Sequence, residues 1–224
     1  KNNIISFNQH NSFQKIPKLI NELKGGKSLA LVSDAGMPSI CDPGEDLIKE
    51  ARNNELNIIC IPGPCAAITA LVSSGFPSSK FIFEGFLPRN KTEREKILLE
   101  ISENQKTTIL FESPHRLKKL ITELKEICGD EREIQIFREL TKKFEEQIGN
   151  NIHEVLEILD GKEIKGEITI VIKGFFKNKD LEFDKSYFKR ELHDLIEAGL
   201  TLSAASKYIA KKNNLKKSEI YNLY

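Results

Sequence analysis

The stretch "LVSDAGMPSICDPG", Leu31–Gly44, decides how the sequence is read. It follows the apolar run "SLALVS" and carries two aspartates, two glycines and two prolines. A strand-to-helix connection needs only a few residues. This one is longer and rich in residues with special backbone geometry, so it reads as a binding loop at a strand end. In open α/β sheets that end is where ligands bind. Asp34 in "SDAG" sits beside Gly36, where the backbone can bend sharply. Its carboxylate suits ligand hydroxyl or amino groups, or else closes an Asx-turn on its own backbone; both readings stand. Asp42 before Pro43 reads as a helix N-cap with proline at the first helical position.

The same grammar recurs along the chain. "LNIICI" is a predicted strand, followed by "PGP" and the helix "AAITALVSSG". "KFIFEGF" and "TTILFE" are predicted strands, each followed by a helix, "KTEREKILLEIS" and "PHRLKKLITELKEIC". "EIQIFREL" and "KFEEQIG" read as a hairpin, because their connection is too short for a crossover. "NIHEVLEIL" is a helix and "GEITIVIKG" the last strand. Upstream, "KIPKLINELKGG" is a helix that ends at Gly25–Gly26, and "GEDLIKEARNN" is an amphipathic one. Alternating strands and helices define an α/β protein with a mainly parallel sheet. A joint rich in Gly, Pro and Ser near residue 79 divides it into lobes 1–79 and 80–174. A linker over 175–186 leads to a helical extension over 187–224.

The chain has 224 residues, 39% hydrophobic and 30% charged, which suits a soluble globular protein with a real core. Lys and Arg number 34 against 33 Asp and Glu, so any nucleic-acid surface must come from local segregation of charge. No apolar run reaches the length of a membrane span, and no signal peptide is visible. Cys41, Cys60, Cys65 and Cys128 form no C-x-x-C pair. They read as small buried residues in a reducing compartment, with no metal site. Neither a G-x-G-x-x-G fingerprint nor a P-loop is present.

Two further strand ends carry charge. "FESPHRL" holds Glu112, His115 and Arg116; "FRELTKKFEE" holds Arg138, Glu139, Thr141, Lys142 and Glu145. Strand alternation puts Arg138 and Glu139 on opposite faces. These groups suit general acid–base chemistry or anion binding. Arg89 and Lys91 precede a helix whose Glu93 and Lys96 are spaced for an i,i+3 pair, and are left to grip phosphate. Between Ser203 and Tyr224, Lys207, Lys211, Lys212, Lys216 and Lys217 face a single acid, Glu219, for a net charge of +4. The tyrosines at 208, 221 and 224 are expected to pack between helices, with base stacking the alternative.

Taken together, "LVSDAGMPSICDPG", "IPGPCAAITAL", "FEGFLPR", "TTILFESPHRL", "RELTKKFEE" and "GEITIVIKG" resemble, in order, the S-adenosylmethionine-dependent 2′-O-ribose methyltransferases of small-subunit ribosomal RNA, in the tetrapyrrole-methylase-like class. The resemblance runs from about residue 5 to residue 174. It implies two α/β lobes with S-adenosyl-L-methionine in the cleft between them, a cytoplasmic homodimer, and the small ribosomal subunit or its RNA as partner. The implied substrate is a cytidine ribose in the decoding region. Asp34, Met37, Cys65, Ala66, Phe111, Glu167 and Ile168 are the implied cofactor contacts. Met37 stands where threonine is usual, and Cys41 and Cys65 where serine is common. Family members begin with a strand and a glycine-containing loop that nothing here matches, so the resemblance implies a segment ahead of Lys1.

Proton removal from a ribose hydroxyl needs a base or a nearby cation. Glu112, His115, Glu139 and Lys142 are the candidates. Arg89, Lys91, Arg116, Arg138 and the five tail lysines are the candidate RNA contacts. Two rivals are a tetrapyrrole methyltransferase of the same fold and a non-catalytic RNA-binding protein.

Overall fold

The computed structural model describes residues 4–175, 185–213 and 215–224. The chain divides into two compact units, Lys1–Phe175 and Phe176–Tyr224. Both lobes expected on either side of residue 79 lie within the first unit. Most of the expected linker, residues 176–184, lies outside the described residues.

The first unit runs α1 (Gln9–Lys24), α2 (Glu45–Asn53), α3 (Ala66–Ser74), β1 (Phe81–Phe86), α4 (Lys91–Glu103), β2 (Thr107–Glu112), α5 (Pro114–Cys128), β3 (Ile134–Arg138), β4 (Glu146–Ile148), α6 (Ile152–Leu159) and β5 (Ile168–Ile172). The strands form one sheet in the order β1-β2-β5-β3-β4. Only β1 and β2 are parallel; β5 enters antiparallel between β2 and β3, and β3–β4 is the expected hairpin. The sheet is therefore mixed, not mainly parallel. Strand direction inside a sheet is a long-range property that alternating local patterns do not carry.

The period-2 alternation of strand side chains sorts the core. Ile168, Ile170 and Ile172 of β5 join Leu110, Ile134 and Ile136 under α4, α5 and α6. Val171, Ile109 and Phe137 point the other way, against Ala67, Ala70 and Leu71 of α3. Every residue of β5 is buried, as a strand covered on both faces requires. On α5, Pro114 opens the helix, and Leu117, Leu120, Ile121 and Leu124 recur at helical spacing on its buried face.

Three local expectations are corrected. "SLALVS" and "LNIICI" form no strand among the described residues, and Val32, Ile59 and Ile61 are exposed. A strand is defined by its hydrogen-bonded neighbour, and neither segment has one there. The N-cap of α2 is Gly44, not Asp42. Asp42 instead accepts from the Ser33 hydroxyl and ties the two ends of the loop together. The cysteines are all free, with Cys41 and Cys60 exposed and Cys65 and Cys128 half-buried, so none is a fully buried residue.

The second unit contains α7 (Lys185–Glu197), α8 (Leu202–Asn213) and α9 (Lys217–Tyr221). It has its own core of Leu192, Ala205, Ile209, Ala210, Ile220 and Leu223. No helix among the described residues is long and apolar enough to cross a membrane.

Candidate functional site

Strand direction brings the loops together. β1 and β2 end at one edge of the sheet, where Phe86 pairs with Phe111. Because β5 is antiparallel to both β2 and β3, it begins at that edge: Ile168 lies opposite Glu112 on one side and Arg138 on the other. The start of α3 and the 33–43 loop reach the same edge. The result is a cleft of about 830 Å³. All seven expected cofactor contacts line it: Asp34, Met37, Cys65, Ala66, Phe111, Glu167 and Ile168. Sequence reasoning missed Ile40, Phe86 and Gly166, which also line it, and the N-terminal segment Ile4–Phe7. Phe86 and Phe83 both stack edge-on against Phe111, with centroids 5.7 and 5.1 Å away.

The 33–43 loop of the cleft and the turn after β3 are held in uncommon backbone conformations. Among the described residues, five non-glycine residues have positive φ. Ser39 and Cys41 lie in the 33–43 loop, and Glu139 and Thr141 in the turn after β3. Such conformations persist only where the surroundings impose them, and they concentrate at functional sites. Asp34 is exposed, and its carboxylate has no partner among the described residues; the local turn is closed by the Ser33 hydroxyl instead. That removes the Asx-turn reading and leaves a free acceptor on the cleft wall.

The four candidate acid–base groups differ sharply. Glu112 is among the residues that line the cleft, and its side chain is wholly buried. Its Oε1 accepts from the Ser113 amide at 2.7 Å; its Oε2 meets Arg116 at 2.9 Å and Arg94 at 3.7 Å. Arg94 is buried and also pairs with Glu123, replacing the surface pairing expected on that helix; the exposed pair there is Lys91–Glu95. His115 is exposed in the first turn of α5, one residue past Pro114 on the cleft wall. Strand alternation fails at Glu139, because β3 ends at Arg138 and Glu139 turns to φ 53°. The Glu139 carboxylate accepts from the Glu167 amide at 2.8 Å and from Lys142 Nζ at 2.9 Å. These two donors, the amide first, hold the carboxyl below its usual range. Lys142 also reaches Glu167 at 3.0 Å, and the two carboxylates, Glu139 first, hold its ammonium above the usual lysine range.

The signs fix the pH window of this cluster. A lowered carboxyl stabilises above its unfolded range and loses that contribution as pH falls through the folded value; a raised ammonium does so below its unfolded range and loses it as pH rises through the folded value. The cluster is therefore intact throughout the neutral range.

Of the expected RNA contacts, Arg116 is committed to Glu112 and to the Leu87 carbonyl, and Arg138 to Glu146 and the Lys165 carbonyl. Arg89 is exposed without a partner among the described residues. In the second unit Lys207, Lys211, Lys212, Lys216 and Lys217 are all exposed. Lys212 pairs with Glu191, and Lys217 donates to the Ser203 hydroxyl. Tyr208, Tyr221 and Tyr224 are exposed as well, so they do not fill the helix interior as expected.

The fold is similar to that of the methyltransferase CobJ, with a TM-score of 0.56 at 15% identity, over 72% of this chain and 70% of that one. Diphthine synthase matches with a TM-score of 0.53, at 15% identity, over 75% and 68%. Residues 6–156 match the tetrapyrrole (corrin/porphyrin) methylases, and the chain belongs to that family. Its relatives include proteins named ribosomal RNA small subunit methyltransferase I. The one from Bacillus subtilis is 38% identical over 99% of this chain and 77% of its own length. One from Streptococcus pyogenes serotype M6 is 40% identical over 98% and 77%, and one from Synechocystis sp. 36% over 98% and 78%.

Proposed function

We propose that the cleft binds S-adenosyl-L-methionine and that the protein methylates the 2′-oxygen of a cytidine ribose in the decoding region of small-subunit ribosomal RNA. The observation that supports this reading is the convergence of seven residues, from four separate segments of the chain, on one cleft. The names of the relatives support small-subunit ribosomal RNA as the substrate class. The bacterial cytoplasm and a homodimeric assembly belong to the same proposal.

The donor set fits such a cofactor. The cleft combines a free carboxylate, Asp34, with apolar walls from Ile40, Phe86, Phe111 and Ile168. Mostly apolar walls with a few placed polar groups are what a ligand of that size requires. When bound, the cofactor supplies a methyl group on a positively charged sulfur. Asp34 would accept hydrogen bonds from hydroxyl or amino groups of the cofactor, and the rings of Phe86 and Phe111 would exclude water. Holding a reactant in place contributes several kcal/mol, about 7–11 in favourable intramolecular cases. For the ribose proton, Glu112 is sealed between arginines, and Glu139 and Lys142 are paired to each other. His115 is the candidate left uncommitted, and it stands beside the cleft as the acceptor.

Asp34→Ala is expected to weaken cofactor binding by about 1.5–3 kcal/mol, the value of a hydrogen bond to a charged group. Calorimetric titration of the full-length protein with S-adenosylmethionine measures it. An unchanged dissociation constant, in a variant with normal thermal stability, would remove Asp34 from the site.

The second unit is proposed to hold RNA through its exposed lysines. Lys212 is already paired, which leaves four. If each neutralises one phosphate on a single strand, log affinity falls with log salt with a slope of about −3 from this surface. Replacing Lys207, Lys211, Lys216 and Lys217 by glutamine is expected to flatten the observed slope by about 3 while cofactor binding stays unchanged. A slope that does not change, measured on small ribosomal subunits, would mark these lysines as a merely solvated face.

A further inference from the structure

We infer that Glu139 is a positioning residue: its carboxylate, braced by Lys142, fixes the Gly166–Ile168 wall of the cleft. The inference rests on the reading of that cleft as the methyl-donor site. Gly166, Glu167 and Ile168 line the cleft, whereas Glu139 and Lys142 do not. Glu139 stands behind the wall and grips it three times. Its amide donates to the Glu167 carbonyl at 2.9 Å. Its carboxylate accepts the Glu167 amide at 2.8 Å. Lys142 spans Glu139 and Glu167 at 2.9 and 3.0 Å.

Gly166 completes the arrangement. It has φ 96°, and a Cβ there would come within 2.6 Å of the Glu139 Cγ, Cδ and Oε1. The carboxylate thus occupies the space a side chain at 166 would fill. The turn that aims it is strained at Glu139 and Thr141, and is closed by the Glu145 carboxylate accepting the Thr141 amide at 2.6 Å. A general base needs a free lone pair directed at the substrate. Here Oε1 already serves two donors, and Glu139 is not among the residues that line the cleft.

The role predicts a separation of binding from chemistry. Three variants of the full-length protein, Glu139→Ala, Glu139→Gln and Gly166→Ala, are titrated with S-adenosylhomocysteine and assayed for single-turnover methyl transfer to small ribosomal subunits at saturating donor. Glu139→Ala is expected to raise the dissociation constant about tenfold or more. Glu139→Gln keeps an acceptor for the Glu167 amide and is expected to recover part of that loss. Gly166→Ala is expected to behave like Glu139→Ala. For the two Glu139 variants, the rate at saturating donor and the shape of its pH profile are expected to stay at wild-type values. A fall in that rate with unchanged affinity would make Glu139 a catalytic base and overturn the inference, as would unchanged affinity in both Glu139→Ala and Gly166→Ala. Failure of the wild-type protein itself to bind S-adenosylhomocysteine would instead overturn the donor-cleft reading.

Discussion

Replacing Glu112 with alanine is expected to destabilise the first unit by about 3–5 kcal/mol, the cost of breaking a buried ion pair from one side. The side chain is wholly buried, and its carboxylate is the common acceptor for Arg94, Arg116 and the Ser113 amide. Among the described residues, its removal leaves Arg94, itself buried, with Glu123, and leaves Arg116 with the Leu87 carbonyl. Arg116 lies in the first turn of α5, whose Pro114 lines the cleft, and Arg94 ties α4 to that corner. Glu112→Gln keeps the shape and one acceptor oxygen, so its loss is expected to be smaller. Urea denaturation checks this through the transition midpoint at constant slope. A loss below about 1 kcal/mol for the alanine variant would mean the network is solvated and weakly coupled. The stability effect also bears on activity: a Glu112→Ala enzyme loses turnover by unfolding, so its rate must be normalised to the folded fraction before any catalytic role is assigned.

Arg132→Ala is expected to cost about 3 kcal/mol, from three hydrogen bonds to a charged donor lost in a mostly buried setting. Its guanidinium donates to the Ile101 and Ser102 carbonyls at 3.1 and 3.3 Å and to the Lys173 carbonyl at 2.8 Å. Ile101 and Ser102 lie in the last turn of α4, where carbonyls have no partner within the helix. One side chain therefore caps α4 and ties it to the segment after β5, while lying 5.6 Å from the Phe175 ring centroid. Arg132→Lys is expected to recover little, since an ammonium cannot reproduce the planar fork. Thermal unfolding of the two variants compares them; a lysine variant with wild-type stability would show that charge, not geometry, is what the three carbonyls need.

The binding loops were legible because glycine, proline and small residues punctuate them. "SDAGM", "PGPCAA" and "GEI" announce loops by composition, and all three meet at one cleft. What could not be read locally was the antiparallel entry of β5. That entry brings the beginning of a strand, Glu167–Ile168, to the edge where β1 and β2 finish. Partner choice was equally hidden. Arg116 and Arg138 look like free phosphate ligands in sequence, yet each is taken by an acid four or eight positions away and by a distant carbonyl. Asp42 carries the pattern of an N-cap, but the Ser33 hydroxyl competes for it and the helix starts two residues later at Glu45. "SLALVS" and "LNIICI" have strand composition, and composition alone does not provide a neighbour. The exposed tyrosines of the second unit were misjudged because aliphatic residues, Leu192, Ile209 and Ile220 among them, fill its interior.

The central claim is that the cleft delivers a methyl group to ribosomal RNA. Incubating the full-length protein with S-adenosylmethionine labelled in the transferred methyl, and with small ribosomal subunits lacking the modification, tests it most directly. The expected result is label in the small-subunit RNA, recovered after nuclease digestion as a single 2′-O-methylcytidine from the decoding region and reduced about tenfold or more with Asp34→Ala at limiting donor. Label recovered on a base, or no label in RNA while a tetrapyrrole is methylated by the same preparation, would contradict the account.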